Sequence, residues 1–407
     1  MEVSGFEAAW TPADVDAAAW WAASGAAWLT DPGAGTPARL VREVVGAARF
    51  LDERGAGIAE LVPADGVGLL AERAATLRFG PAGRSSCGTG TRLVRAPDGW
   101  LAVTLARDDD VELVPAWLEI GPLGAGCIDH WHIVEREVAH GRAAELAERA
   151  AWLGLPVSRV GEMTNGHGVI ADRRGDASAG PLGDVTVVNL GALWAAPLCG
   201  DLLARCGARL VTVESVHRPD GSRRRPAFFE ALHGRSLSVA LDLRADEGRH
   251  QLCELLSSAD VVIEASRPRA LAQLGVDADE LVASGPRVWM SITAHGCDQP
   301  TRVGFGDDAA AAGGLVAEVD GEPRFVADAV ADPLTGLVAA ATIAQLVEQG
   351  GRWMIDAALA RVAHAMSGDW VATPDRLAIA PPARRTDPGA PMPLGRDTLD
   401  CVNFLRP

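Results

Sequence analysis

The chain has 407 residues, 48% of them hydrophobic and 22% charged, which is enough apolar material for one large or two ordinary domains and argues against wholesale disorder. Its net charge is −17 and every fixed cation is an arginine. Because phosphate contacts need a basic surface, we expect no nucleic-acid partner.

The seven cysteines are scattered and form no CxxC pair, which fits reduced thiols in a cytoplasmic protein. The first 19 residues lack a basic start followed by an apolar stretch, and no apolar run reaches ~18 residues, so we expect neither a signal peptide nor a membrane span. His130 and His132 form an isolated pair without an evident third ligand, so we expect no metal site.

The first 175 residues predict a small α+β domain. A helical pattern covers 38–54, a hairpin joins strands at 92–95 and 100–105 through Pro97-Asp98-Gly99, and an amphipathic helix covers 142–152.

Residues 184–370 predict a larger α/β domain. Short apolar strands at 185–190, 209–213, 237–243, 260–264 and 288–292 alternate with helical patterns, which is typical of a doubly wound, Rossmann-like parallel sheet. Ligands of such sheets bind beyond the carboxyl ends of the strands. Neither GxGxxG nor GxxxxGK[ST] is present, so dinucleotide and nucleoside triphosphate sites lack their motifs.

A glycine-rich segment at 304–314 leads to Asp332-Pro333 and a helical pattern over 334–346, and we expect 371–407 to be an extended tail. Taken alone, Asp332 is typical of a helix N-cap with proline at the next position, where the amide dipoles would hold its carboxylate ionised. The glycines are equally consistent with a tight turn and with backbone amides that stabilise an oxyanion.

Seven segments in one order resemble the family III CoA-transferases, the CaiB/BaiF group that includes formyl-CoA transferase and α-methylacyl-CoA racemase. They are VVNLGALWAAP (187–197), GARLVTVE (207–214), SVALDL (238–243), ADVVIE (259–264), SITAHG (291–296), VADPLTG (330–336) and WMIDAAL (353–359).

The resemblance implies an acyl-CoA substrate and a carboxylate acceptor, with Asp332 as the residue that forms a covalent mixed anhydride. It places Gly306, Asp307, Asp308 and His295 near substrate or oxyanion. Coenzyme A, as substrate, is assigned to Leu193, Trp194, Ala195, Arg235, Arg267 and Thr293. Taken alone, Asp307 is typical of an exposed loop carboxylate and His295 of a solvated loop histidine. An interlocked homodimer is the family's expected assembly.

The order of segments departs from the family. A small-domain look-alike precedes the large domain, and 20–75 contains a degenerate partial repeat of it without a counterpart of Asp332. We therefore expect a rearranged chain with one reactive carboxylate, in which residues 80–170 pack against 184–370 of the same or a partner subunit.

Three functions are compatible with these observations. The first is CoA transfer between carboxylic acids, the second is acyl-CoA isomerisation or racemisation on the same fold, and the third is a catalytically inactive subunit of a heteromer. Asp332 argues against the third. In the racemases a histidine stands at the position of Asp307, which argues against racemisation. The donor and acceptor acids cannot be named from the sequence.

Overall fold

The computed structural model describes residues 7–121, 130–164, 167–266, 268–390 and 392–404. Within these ranges no helix is long and apolar enough to cross a membrane. Short 3-10 turns occur at Pro32–Ala34, Val67–Leu70, Leu182–Asp184 and Gly221–Arg224.

The first part of the chain is mainly helical. Its longest helix buries residues spaced three and four apart, such as Val41, Val44, Val45 and Ala48, because one face packs on the core. The elements are α1 (Ala17–Ala23), α2 (Ala26–Leu29), β1 (Thr36–Pro37), α3 (Ala38–Asp52), α4 (Ile58–Leu61) and α5 (Glu72–Leu77).

A small antiparallel sheet with three helices follows. The predicted hairpin joins its first two strands, and a third strand pairs with the second. The elements are β2 (Thr91–Ala96), β3 (Gly99–Thr104), α6 (Asp108–Leu118), α7 (His130–Val138), α8 (Ala143–Leu153) and β4 (Val157–Arg159). Their apolar faces form a core of their own around Trp117 and Val134.

The remaining elements build the large sheet and the helices that cover it. They are β5 (Val169–Gly175), β6 (Thr186–Asn189), α9 (Ala195–Arg205), β7 (Arg209–Ser215), α10 (Pro226–His233), β8 (Leu237–Leu241), α11 (Asp246–Ser258), β9 (Val261–Glu264), α12 (Pro268–Gln273), α13 (Ala278–Ser284), β10 (Val288–Thr293), α14 (Gly306–Ala312), β11 (Ala317–Val319), β12 (Glu322–Arg324), α15 (Ala331–Gln349), β13 (Arg352–Ala358), α16 (Leu359–Met366), β14 (Trp370–Val371) and α17 (Thr398–Phe404).

The seven-stranded sheet has the order β5-β13-β10-β9-β6-β7-β8, and every pair is parallel except β5 with β13. The predicted α/β class with a doubly wound, mostly parallel sheet is confirmed. Strand order reverses between β6 and β9, so the loops after these two strands flank the position where such folds bind ligands.

The helices of the first part share one apolar core with the large sheet. Trp21, Leu40 and Val44 belong to the same buried cluster as Leu198 and Leu337. Strand β5, which lies within the range predicted for the small domain, is an edge strand of the large sheet. The division into units at 1–175, 184–370 and 371–407 stays a prediction.

Candidate active site

The loop after β6 brings a buried aromatic residue to the strand-order reversal. Asn189 fixes the turn, since its Oδ1 accepts a hydrogen bond from the Gly191 amide at 2.9 Å. Leu193 has a φ of +70° and is 45% exposed, whereas Trp194 is buried against Phe228 at 5.4 Å between ring centroids. Trp194 and Ala195 thus line the buried side of this loop, and Leu193 lies at its surface.

Asp332 lies in the first turn of α15, two residues after the N-cap Val330, so the prediction that Asp332 is itself the N-cap is wrong. The loop before the helix is conformationally unusual, because Ala327 and Ala329 have φ values of +51° and +42°. The Cys87 thiol donates to the Ala327 carbonyl at 3.2 Å, and the Thr30 hydroxyl accepts from the Ala327 amide at 3.0 Å. Such backbone strain is concentrated at functional sites and persists only where the surroundings impose it.

Gly306 approaches Asp332 directly. The proximity of its backbone N–H lowers the pKa of the Asp332 carboxyl, against the larger effect of burial, which raises it. A Cβ atom at this position would lie 2.6 Å from Asp332 Oδ2, so no residue larger than glycine fits. Gly306 therefore lies directly beside Asp332, and an oxyanion role for its amide stays a prediction.

An arginine from the first part of the chain completes the surroundings of Asp332. Arg73, on α5, forms a bidentate ion pair with the buried Asp328, with contacts of 2.9 Å and 2.5 Å. Its guanidinium lies 4.7 Å from the Trp194 ring centroid. Electrostatic attraction from Arg73 opposes the rise in the pKa of Asp332 that burial causes.

Asp307 and Asp308 are buried in the first turn of α14, so the expectation of an exposed loop carboxylate at Asp307 is wrong. Asp307 Oδ1 accepts from the Ala329 amide at 3.1 Å, and Asp308 Oδ1 accepts from the Thr104 hydroxyl at 2.9 Å. Thr104 belongs to β3, so the small sheet contacts the large domain at this site. The packing that the rearranged-chain hypothesis requires is present within one chain, while the rearrangement itself stays a prediction.

Burial sets the protonation of these carboxyls. It raises the pKa of Asp307 to about 6 and the pKa values of Asp308 and Asp332 to about 7 each. Placing several carboxylates together out of water favours the neutral form, and Arg73 offsets only part of this effect on Asp307 and Asp332. The expectation that the helix start keeps Asp332 fully ionised near neutral pH is therefore not met.

Exposure distinguishes Asp332 from its neighbours. Asp307, Asp308 and Asp328 are all buried, whereas Asp332 keeps partial exposure. Of these four residues, Asp332 is the one that is not fully buried.

His295 is 2% exposed, so the expectation of a solvated loop histidine is wrong. Its Nε2 lies 3.4 Å from the Ser158 hydroxyl of β4. Burial, assisted by the charge of Arg302, lowers the pKa of His295 to about 3. The imidazole is neutral near pH 7 and lies where the small sheet meets the large domain.

The other residues assigned to coenzyme A are dispersed. Arg235 is engaged in ion pairs with Asp201 and Asp387, and the Thr293 hydroxyl lies 3.3 Å from Asp356. Arg267 lies outside the described residues. The structure does not bring Arg235 and Thr293 into contact with Asp332.

Sequence reasoning missed Arg73 and Asp328. Asp328 stands four residues before Asp332 in VADAVAD, and a second aspartate in that segment was the available signal. Arg73 offered none, because it lies 255 residues from its partner Asp328.

The chain belongs to CoA-transferase family III, whose family model matches residues 182–397, more than half of the chain. The predicted resemblance to this family is confirmed.

Relatives with named CoA-transferase activities support this. The chain is similar to a succinyl-CoA–D-citramalate CoA-transferase of Chloroflexus aurantiacus, with 33% identity over 39% of this chain and 43% of that protein. It is also similar to a succinate–glutarate CoA-transferase of Agrobacterium fabrum, with 32% identity over 40% of this chain and 46% of that protein. The chain therefore spans less than half the length of these curated relatives. Among solved structures, a CaiB/BaiF family protein from Brucella suis matches at 29% identity with a TM-score of 0.42, over 46% of this chain and 55% of that one.

Proposed function

We propose that this protein transfers CoA between two carboxylic acids through covalent intermediates on Asp332. The observation that carries the proposal is the exposure of Asp332, the only partly accessible carboxyl of a buried cluster, in the first turn of α15 beside the loop at the strand-order reversal. Gly336, one turn further along α15, lies against the Ala195 carbonyl at the start of α9. The helix that carries Asp332 therefore packs against the end of the loop that follows β6.

The reaction follows from the nucleophile. The ionised Asp332 attacks the thioester carbonyl of the donor acyl-CoA, the C–S bond breaks, and a mixed anhydride and CoA thiolate result. The thiolate then attacks the Asp332 carbonyl, which releases the donor acid and leaves an aspartyl thioester. An acceptor carboxylate exchanges in by the reverse steps, so that the new acyl-CoA leaves and the Asp332 carboxylate is regenerated.

The donor and acceptor classes are taken from the relatives. Since the named relatives act on succinyl-CoA, succinate and glutarate, we propose short dicarboxylic acids as first substrates to test. We also propose a homodimer, which the family resemblance implies.

Asp332→Asn is expected to abolish CoA transfer from succinyl-CoA, because an amide cannot attack the thioester as a carboxylate does. The direct measurement is incubation of the wild type with succinyl-CoA and hydroxylamine, followed by mass analysis of the peptide that contains Asp332. A hydroxamate there is the expected product.

The matched control is Asp109→Asn, an exposed aspartate in the first turn of α6. It is expected to retain wild-type turnover. Undiminished turnover in Asp332→Asn, with the control behaving normally, would contradict the proposal.

A second candidate is proton transfer at the acyl carbon, as in an isomerase or racemase. It is favoured by Asp308, whose Oδ2 is buried without a hydrogen-bond partner among the described residues. A Cβ built on Gly304 would lie 2.7 Å from that oxygen and 3.4 Å from His295 Nε2, so both groups border one small space. Exchange of the α-hydrogen of an acyl-CoA with deuterated solvent, in the absence of an acceptor acid, would distinguish this activity from CoA transfer.

A further inference from the structure

Arg73 comes from the part of the chain before the large sheet and reaches the surroundings of the nucleophile. Its Nε and one terminal nitrogen bind the two oxygens of Asp328, at 2.9 Å and 2.5 Å. This fork-to-fork geometry fixes the position of both side chains. Asp328 lies between two residues of positive φ, directly before α15, so the pair also anchors the loop that presents Asp332.

The position of Arg73 is itself held from two sides. Its guanidinium lies over Trp194 at 4.7 Å and over Phe79 at 5.6 Å. The preceding residue, Glu72, is buried and forms an ion pair with Arg385. The cation therefore cannot leave the site without disrupting these contacts.

The charges around Asp332 come from several elements. Arg73 acts on it from α5, Asp307 from α14 and Asp328 from the preceding loop, and Gly306 lies directly beside it. Cys87 lies near the same charges, in the segment before β2. Burial raises the pKa of its thiol, Asp328 and Asp307 raise it further, and Arg73 lowers it. Arg73 therefore acts electrostatically on three carboxyl groups and one thiol.

We propose that Arg73 is a positioning residue for Asp332: its ion pair with Asp328 offsets the charge of a neighbouring buried carboxylate and so favours the ionised, reactive form of Asp332. The inference rests on the proposed role of Asp332 as nucleophile. Without Arg73, the charge of Asp328 would oppose a second charge on Asp332, and the reactive form would be populated only at higher pH.

The test measures two quantities in the full chain between about pH 5.5 and 9. The first is the rate of CoA release from succinyl-CoA in the presence of hydroxylamine. The second is labelling of the Asp332 peptide by a water-soluble carbodiimide, which reacts with protonated carboxyl groups and needs no turnover.

Four variants give expectations of opposite sign. Arg73→Met should move both pH profiles upward. At pH values below the pKa of Asp332, the rate should then fall about tenfold for every pH unit by which that pKa rises, and it should recover in alkaline buffer. Asp328→Asn should move the profiles downward, because an anion is removed while Arg73 remains. The double variant Arg73→Met with Asp328→Asn should return close to the wild-type profile, and Arg73→Lys should keep most of it.

Equal loss of rate at every pH in Arg73→Met, or an Asp328→Asn profile that moves upward or stays unchanged, would overturn the inference. If Arg73→Met does not fold, Asp328→Asn and Arg73→Lys still decide the sign. The two proposals fail separately: a wild type that forms no adduct at Asp332 would contradict the proposed function, whereas unchanged carbodiimide profiles would contradict the role of Arg73.

Discussion

Four aspartates around the start of α15 occupy one small volume, and their different surroundings separate their roles. Asp328 is paired with Arg73, Asp307 accepts the Ala329 amide, and Asp308 accepts the Thr104 hydroxyl. Asp332 is the one that keeps partial exposure. The four aspartate side chains thus differ in exposure and in their bonding partners, and such differences are expected to separate the pKa values of carboxyl groups that share a site.

At this scale the sequence indicated Asp332, Asp308 and Gly306 through the family resemblance, and Asp307 as the residue that stands where the racemases have a histidine. It did not predict that Asp307 and His295 are buried, because both were expected to lie in loops, where side chains are usually exposed. Arg73 could not be predicted from the sequence, because only the tertiary fold brings α5 close to the start of α15.

Asp308→Asn is expected to change how the free energy of unfolding depends on pH. The pKa of Asp308 rises from an ordinary value of 3.8 to about 7 in the folded protein. Between these two values the folded state holds a proton that the unfolded state has released, so stability falls as pH rises from about 4 to about 7. Asparagine does not titrate, and the variant should lose part of this fall.

Urea unfolding at several pH values measures the effect. The variant should gain stability relative to the wild type as pH increases through this window, while Asp109→Asn should follow the wild type throughout. A variant curve parallel to that of the wild type would show that Asp308 ionises normally in the folded protein.

Among the elements, α15 connects the two parts of the molecule. It spans 19 residues, and nearly all of them are buried because α9 packs on one side and α3 on another. Small residues such as Ala339, Ala340 and Ala341 permit this close contact. Its sequence predicted a helix over 334–346, shorter than the observed Ala331–Gln349.

The strands show why some elements were predicted and others were not. β6, β7, β9 and β10 are interior strands with largely apolar runs, which the sequence reveals, while β8 is the edge strand at the end opposite β5. β5 contains Asp172, Arg173 and Arg174 because it is a half-exposed edge strand, and its antiparallel pairing was not predicted. β13 was recognised only as a family motif, since the sequence WMIDAA does not alternate.

Gly336→Ala is expected to destabilise the fold by about 1–3 kcal/mol. A Cβ at this position would lie 2.6 Å from the Ala195 carbonyl oxygen, within backbone that cannot shift without moving α9. Chemical denaturation measures the free energy of unfolding, and activity should fall as well because Asp332 lies on the same helix.

Gly80→Ala is the matched control, because nothing lies within 4 Å of a Cβ built there. It should be close to neutral. Similar stabilities for the two variants would show that α9 and α15 are not in tight contact at Gly336.

On the scale of the whole molecule, a buried ionic network joins three distant segments. Arg385 of the C-terminal tail is 2% exposed at its side chain and pairs with Glu72 at 2.8 Å and with Asp201 at 2.8 Å. Glu72 precedes Arg73, and Asp201 lies on α9. The tail, which was predicted to be extended, therefore has a defined path over the fold, and it contains helix α17, which the prediction did not include.

Arg385→Met is expected to lower the free energy of unfolding by about 3–5 kcal/mol, because Glu72 and Asp201 would remain buried without their cation. Denaturation by urea measures this loss, and limited proteolysis of the tail reports its release.

Arg42→Ala serves as the comparison. The Arg42–Asp369 pair also joins distant segments, but its side chains are 41% and 48% exposed, so the loss should be below about 1 kcal/mol. Equal losses in the two variants would contradict the importance of burial for the Arg385 network.

The common core of α3 and α15 has a consequence for biosynthesis. Helices close in sequence, α1 and α4, also contact α3, but its main partner, α15, is complete only after residue 349 has been made, almost 300 residues later. At ~5–20 residues per second, the nascent chain spends some tens of seconds with part of the apolar face of α3 uncovered. Contacts of such sequence separation also slow folding after release. We expect the emerging chain to be a client of ribosome-associated chaperones until α15 arrives, because its first helices cannot bury their apolar surface alone.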